Sequence, residues 1–89
     1  MKLILYSKPG CHLCEGLEEK LRQMENLAIE LEIRDITTRE DWFAAYEYEV
    51  PVLTLRHRGW RRGDREEILP RPNPRASVLL LERMLQKYV

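Results

Sequence analysis

Apolar residues recur along this chain in three rhythms, and each rhythm predicts a different element. Leu3-Ile4-Leu5-Tyr6 is an unbroken apolar run after Lys2, which predicts a strand over 2–6 buried on both faces at the centre of a sheet. Pro9-Gly10 then breaks the chain. From His12 to Glu25 the apolar positions Cys14, Leu17, Leu21 and Met24 come at three- and four-residue steps with charges between them, the pattern of an amphipathic helix. Asn26 is its expected stop. Ile29, Leu31 and Ile33 alternate with Glu30, Glu32 and Arg34, which predicts an edge strand with its charges turned outward. Strand, helix and strand make a βαβ unit with a right-handed crossover.

The second half is more heavily punctuated. Thr37-Thr38-Arg39-Glu40 reads as a capping box, with Thr37 as N-cap of a short helix through Trp42, Phe43, Ala45 and Tyr46. Trp42 and Phe43 are assigned to the core. Val50-Pro51-Val52-Leu53-Thr54-Leu55 predicts a strand opened by proline, a position where a cis Val50–Pro51 bond is compatible with the chain. Arg56 to Arg65, with Gly59 and Gly63, predicts a hairpin connection, and Glu67 to Leu69 a short return strand. Pro70, Pro72 and Pro74 form a stiff linker, with Asn73-Pro74 as N-cap and first turn of a last helix. That helix runs to about Tyr88 and turns Val78, Leu81, Leu85 and Tyr88 inward. Gly16 weakens the first helix by roughly 1 kcal/mol relative to Ala and is expected to let the adjoining loop pack closely.

The chain has 89 residues, enough for one domain spanning 1–89. Fifteen basic and fifteen acidic side chains give a formal charge of zero, which argues against general affinity for nucleic acid or membranes. The apolar start is too short for a secretory segment, and no stretch approaches membrane-spanning length. A cytoplasmic location is therefore expected. Two cysteines in that setting point to redox or metal chemistry rather than a structural bridge.

Those two cysteines are Cys11 and Cys14, in Cys11-His12-Leu13-Cys14, just after the first strand and at the start of the helix. A helix N-terminus offers unpaired N–H groups and a partial positive charge, both of which favour thiolate at Cys11. Cys14 lies about one turn on, within reach to close a disulfide. An ordinary thiol is about 5% thiolate at neutral pH, and lowering its pKa to roughly 6.5 makes it about 80% thiolate. Reduced nucleophilicity offsets most of that, leaving about a twofold gain in attack. The larger benefit is to Cys11 as a leaving group. A protonated His12 would stabilise the thiolate, and Glu15 would oppose it.

Metal is a rival reading, since C-x-x-C is half of a zinc site, but only His12 and His57 remain as good further ligands. Arg56, Arg58, Arg61, Arg62 and Arg65 cluster around Trp60 with Asp64 opposing them. Such a loop could grip an acidic protein or, less readily, phosphates.

The order β-α-β, α, β-β-α, with C-x-x-C after the first strand and a proline opening the third, resembles the thioredoxin fold. The fold class it implies is α/β, a four-stranded mixed sheet with three helices. Tyr6-Ser7-Lys8-Pro9-Gly10-Cys11 is similar to the K-P-x-C signature of glutaredoxins, and Glu49-Val50-Pro51 resembles their T-V-P motif. The resemblance implies that Cys11 is the nucleophile and Cys14 the resolving cysteine. It also implies a cis Pro51 against the pair, a Val50 backbone that pairs with substrate, and a Lys8 that attracts a glutathione carboxylate. His12 and Leu13, between the cysteines, would face substrate, with Leu13 replacing the family's usual aromatic.

Two departures qualify the ligand. The family's Gly-Gly-x-Asp turn is replaced by Leu69-Pro70-Arg71-Pro72-Asn73-Pro74, and proline has no N–H to donate, so half of the glutathione site is impaired. Glu49 replaces threonine. The resulting expectation is a monomeric dithiol thiol–disulfide oxidoreductase acting on a disulfide-containing protein or a glutathione mixed disulfide. It would need no bound cofactor or metal, with glutathione as a candidate reductant or ligand. The alternatives are a redox-inert binding module and a glutathione-dependent iron–sulfur cluster carrier.

Overall fold

Strand β1 (Lys2–Ser7) is covered on both faces, with Leu3, Ile4 and Leu5 fully buried and Tyr6 nearly so. In this computed structural model residues 1–58 and 63–88 are described. Gly59, Trp60, Arg61 and Arg62 of the basic loop, and Val89, lie outside the described residues. The chain continues as α1 (His12–Arg22), β2 (Glu30–Asp35), a 3₁₀ turn (Ile36–Thr38), α2 (Glu40–Tyr46), β3 (Val52–His57), β4 (Arg65–Ile68) and α3 (Val78–Gln86). The sheet order is β2-β1-β3-β4. β1 runs parallel to β2, in register from Lys2 opposite Glu30 to Ser7 opposite Asp35. It is antiparallel to β3, which pairs antiparallel with β4. This is the four-stranded mixed α/β sheet with three helices that the sequence implies.

Alternation along the strands sorts the side chains between two layers. Leu3, Leu5, Leu53 and Leu55 face one side and meet Leu17 and Leu21 of α1 and Leu81 and Leu85 of α3. Ile4, Tyr6 and Val52 face the other, where Ile36, Trp42 and Tyr46 cover them. The Tyr6 ring packs edge-on to Trp42 at 5.9 Å and tilted against Tyr46 at 4.7 Å.

The second face is more polar than its strands suggest. Tyr6 Oη donates to Glu66 Oε1 (2.7 Å), Thr54 Oγ1 donates to the same oxygen (2.8 Å), and Arg34 donates to Tyr6 Oη (2.7 Å) and Glu66 Oε2 (3.2 Å). Arg34 also pairs with Glu32, which Lys2 meets at 3.3 Å. The Arg34 guanidinium lies 5.4 Å from the Tyr6 ring centre and 5.2 Å from that of Trp42, within cation–π range. One polar network thus joins all four strands. Of the β2 charges expected to point into solvent, Glu30 does so, whereas Glu32 and Arg34 serve this network.

Three helix boundaries differ from expectation, each for a local reason. α1 ends at Arg22 rather than near Glu25, where Gln23 and Met24 turn back onto Lys20 and Leu21. Met24, Leu27 and Ile29 then pack at the core margin, and Asn26 bonds Glu82 of α3 at 3.0 Å instead of capping α1. The Thr37 capping box does not form. Asp35, a charged acceptor two residues earlier, takes the Thr37 N–H (2.9 Å) and hydroxyl (2.7 Å), and the resulting turn buries Ile36. α2 opens after Arg39 with no side-chain cap. Likewise Asn73 closes a turn, its side chain accepting from the Arg75 N–H at 2.9 Å, and Ser77 caps α3 through the Leu80 N–H at 3.2 Å.

Smaller shifts follow. β3 begins two residues after Val50, and β4 lies at Arg65–Ile68, although Leu69 still donates to Leu53 at 2.9 Å. Trp42 is half-buried, whereas Phe43 stands exposed on the outer side of α2. Val78 and Tyr88 are only half-buried. Among the described residues no helix is long and apolar enough to cross a membrane.

Burial, reinforced by the Glu66 hydrogen bond and charge and only partly countered by Arg34, pushes the Tyr6 phenol up to about 12 from 10.0. Burial also works to raise Glu66, but hydrogen bonds from Tyr6 and Thr54 and the charge of Arg34 outweigh it and hold the carboxyl low. Between pH 10 and 12 the unfolded chain loses the Tyr6 proton that the native state keeps. Native stability therefore falls as pH rises through that window, by about 1.4 kcal/mol per unit. Glu66 contributes above the ordinary carboxylate range and its share is lost as pH falls. NMR titration of the Tyr6 ring should give a midpoint near 12. In Tyr6→Phe the alkaline loss should shrink, with a neutral-pH penalty of about 1.5–3 kcal/mol for the lost charge-linked hydrogen bonds.

Candidate active site

β1 delivers the chain to a tight turn. Lys8-Pro9-Gly10-Cys11 closes through the Cys11 N–H on the Lys8 carbonyl at 3.2 Å, with Gly10 at φ +79°. Proline second and glycine third in such a turn meet its backbone needs, because only glycine takes the left-handed position without strain. Cys11 follows in extended conformation as the N-cap of α1. Its sulfur accepts the Cys14 N–H at 3.2 Å, and its carbonyl accepts the Glu15 N–H at 3.1 Å. A cysteine sulfur here takes the role that a Ser or Asp oxygen usually fills.

The two sulfurs are joined as a disulfide, with the Cα atoms 5.3 Å apart. Cys14 shares the inward face of α1 with Leu17 and Leu21 and is 2% exposed. Cys11, outside the helix, is only half-buried. Helical periodicity thus assigns one sulfur to the surface and the other to the core. His12 is almost fully exposed, and its Nδ1 lies 3.4 Å from Glu15 Oε2. A protonated His12 would be met by that carboxylate, so the pair brings little net charge to Cys11.

The remaining expected site residues come from other elements. Pro51 is buried and follows a cis bond from Val50. It borders a cleft of about 190 Å³ together with His12 and Leu13. Val50 is half-buried and its N–H already donates to the Tyr46 carbonyl at 3.1 Å, so that N–H is committed within the chain. Lys8 reaches away from the cleft, donating to the Glu47 carbonyl at 3.3 Å in the loop before Val50.

Several cleft residues were not anticipated. Gly16, Leu17, Lys20, Arg71, Pro72 and Pro74 complete the lining with Asn73, Ala76 and Leu81. Lys20 Nζ donates to the Pro74 carbonyl at 2.8 Å, and Arg71 donates to the Glu49 carbonyl. The proline segment is thus one wall of the cleft rather than a linker. Its arginine set between prolines was the available signal. Gly16 does not serve a close approach: a Cβ added there would meet no atom of a neighbouring element within 4 Å. Among the described residues no three His, Cys, Asp or Glu side chains converge as a metal site. His57 lies on β3, paired with Glu67 at 2.8 Å.

Fold and site together define a glutaredoxin-like protein of the thioredoxin fold. The family model described as glutaredoxin-like domain (DUF836) matches residues 2–86, and the chain belongs to that family. A Northeast Structural Genomics target protein from X. campestris, solved by X-ray crystallography, is similar over 96% of each chain, at 29% identity and a TM-score of 0.59. A search of curated proteins finds no match. A paired Cys11 and Cys14 at a helix N-terminus in this family fits thiol–disulfide redox chemistry.

In the reduced protein the unequal exposure of the two sulfurs should be measurable. Limited alkylation should label Cys11 well before Cys14, as read by peptide mass spectrometry. Equal labelling in the folded state would contradict the assignment of Cys14 to the core.

Proposed function

We propose that the protein is a dithiol thiol–disulfide oxidoreductase, with Cys11 as nucleophile and Cys14 as resolving cysteine. The observation that carries this reading is the division between a reachable Cys11 at the helix cap and a buried Cys14 within bonding distance. In the reduced form the Cys11 thiolate attacks one sulfur of a substrate disulfide. A Cys11–substrate bond forms, the substrate S–S bond breaks, and the departing thiolate takes up a proton. Cys14, after losing its proton, attacks the Cys11 sulfur. The Cys11–Cys14 bond forms and the second substrate thiol is released. The substrate gains two electrons and the protein is left as the disulfide, which an external thiol or dithiol reductant must reopen.

The Cys14 N–H on the Cys11 sulfur supports the first step, because a donor at that sulfur would stabilise the Cys11 thiolate that attacks the substrate. The cleft beside the pair supports a protein disulfide as the preferred substrate. The segment that would hold the γ-glutamyl end of glutathione carries prolines at 70, 72 and 74, and the Asn73 carbonyl and side chain are engaged by Ala76 and Arg75. Glutathione fits better as a reductant meeting Cys11 than as a bound cofactor.

Cys11→Ser should abolish reduction of a protein disulfide. Cys14→Ser should trap the protein covalently on its substrate, giving a mass increase that dithiothreitol reverses. A protein disulfide should be reduced with a kcat/KM at least about tenfold above that for a glutathione mixed disulfide. Undiminished activity of the Cys11→Ser protein would overturn the mechanism.

A further inference from the structure

We infer that the cleft between α1 and the proline segment is a side-chain pocket for the protein substrate, taking a bulky apolar residue that neighbours an acidic one. This rests on the redox reading and specifies the substrate of that same site. The cleft starts at His12 and Leu13, one and two residues beyond Cys11, and runs along α1 to Lys20. Leu13, Leu17, Pro51, Pro72, Ala76 and Leu81 make its lining mostly apolar. Its volume of about 190 Å³ exceeds that of cavities near 150 Å³ that hold a benzene ring, so an isobutyl or phenyl group fits.

The charge at the rim narrows the occupant. Lys20 and Arg71 are tied to backbone carbonyls, and among the described residues no carboxylate lies within 4 Å of either. An approaching carboxylate would therefore meet two positioned and uncompensated cations. A segment lying across Cys11 and Pro51 would bring residues adjacent to its reacting cysteine over the cleft. Glutathione could offer carboxylates there but has no apolar side chain to fill the space.

Gly16 provides the handle. Gly16 lines the cleft and has room for a Cβ, so Gly16→Leu should direct an isobutyl group towards it, while leucine suits a helix interior better than glycine. The test uses disulfide-linked peptides that differ only in the residues flanking cysteine: Leu with Glu, Gly with Glu, or Leu with Lys. Initial rates are measured with the reduced full chain at low salt, alongside glutathione disulfide. The Leu–Glu peptide should exceed the Gly–Glu peptide in kcat/KM by about tenfold, the scale set by burying one leucine side chain. It should exceed the Leu–Lys peptide severalfold, a margin that shrinks with salt.

Gly16→Leu, with its fold verified by circular dichroism, should bring the Leu-to-Gly ratio to within about twofold. Equal rates on the Leu–Glu and Gly–Glu peptides with the native chain would overturn the pocket while leaving the redox function intact. Faster turnover of glutathione disulfide than of every peptide would do the same. Failure to reduce any of them would remove the redox reading and the pocket with it.

Discussion

Strand β1 has no face on which it can meet water, and the position of the Cys11 sulfur follows from that. With Leu3 and Leu5 committed to one layer and Ile4 and Tyr6 to the other, the strand cannot slip by one residue without inverting both layers. The chain can leave the sheet only at its end, at Ser7, and the Pro9-Gly10 turn delivers it directly to the cap of α1. α1 is held in turn by Leu17 and Leu21. Cys14 lies one turn before Leu17 on the same stripe and is drawn inward, while Cys11 sits ahead of the first helical residue and stays near the surface. The unequal exposure of two chemically identical groups comes from the helical repeat applied to a fixed starting point.

What the sequence disclosed was whatever burial writes as periodicity. The continuous run of β1 proved to be buried on both faces, and Cys14, Leu17 and Leu21 proved to be the inward stripe of α1; the alternation in β2 disclosed its apolar side but not the work of Glu32 and Arg34 on the other. Helix starts were harder to read because several capping residues compete within a few positions. Asp35 prevails over Thr37 beside a residue that the core absorbs, and Asn73 is taken up by its own turn, which leaves Ser77 as the cap of α3. Ile36 is fully buried, and no local count of cap preferences reveals that. The network on the second face was equally hidden. Tyr6 and Glu66 are 60 residues apart and Arg34 and Tyr6 are 28 apart, so no window of sequence contains the pattern.

The same distinction divides the site. Cys11, Cys14 and Pro51 were legible because turn chemistry and family resemblance mark them locally. Lys20 and Arg71 were not, because they act through carbonyls 54 and 22 residues away. The three prolines read as a stiff linker, whereas Pro72 and Pro74 line the cleft. Rigid carbonyls can hold long cationic side chains in place at little entropic penalty, which a flexible linker would not do.

That exchange bears on what the site recognises. Backbone N–H donors read a carboxylate at fixed positions, and a proline-rich segment has few to offer. Guanidinium and ammonium groups recognise the same charge from side chains instead, through interactions that salt weakens at exposed sites. Recognition built this way is poor at selecting one small peptide by geometry. On the proposed reading it would suit a larger partner, whose charged surface would steer the encounter and whose apolar contact at the cleft would supply the grip that charge alone loses at physiological ionic strength.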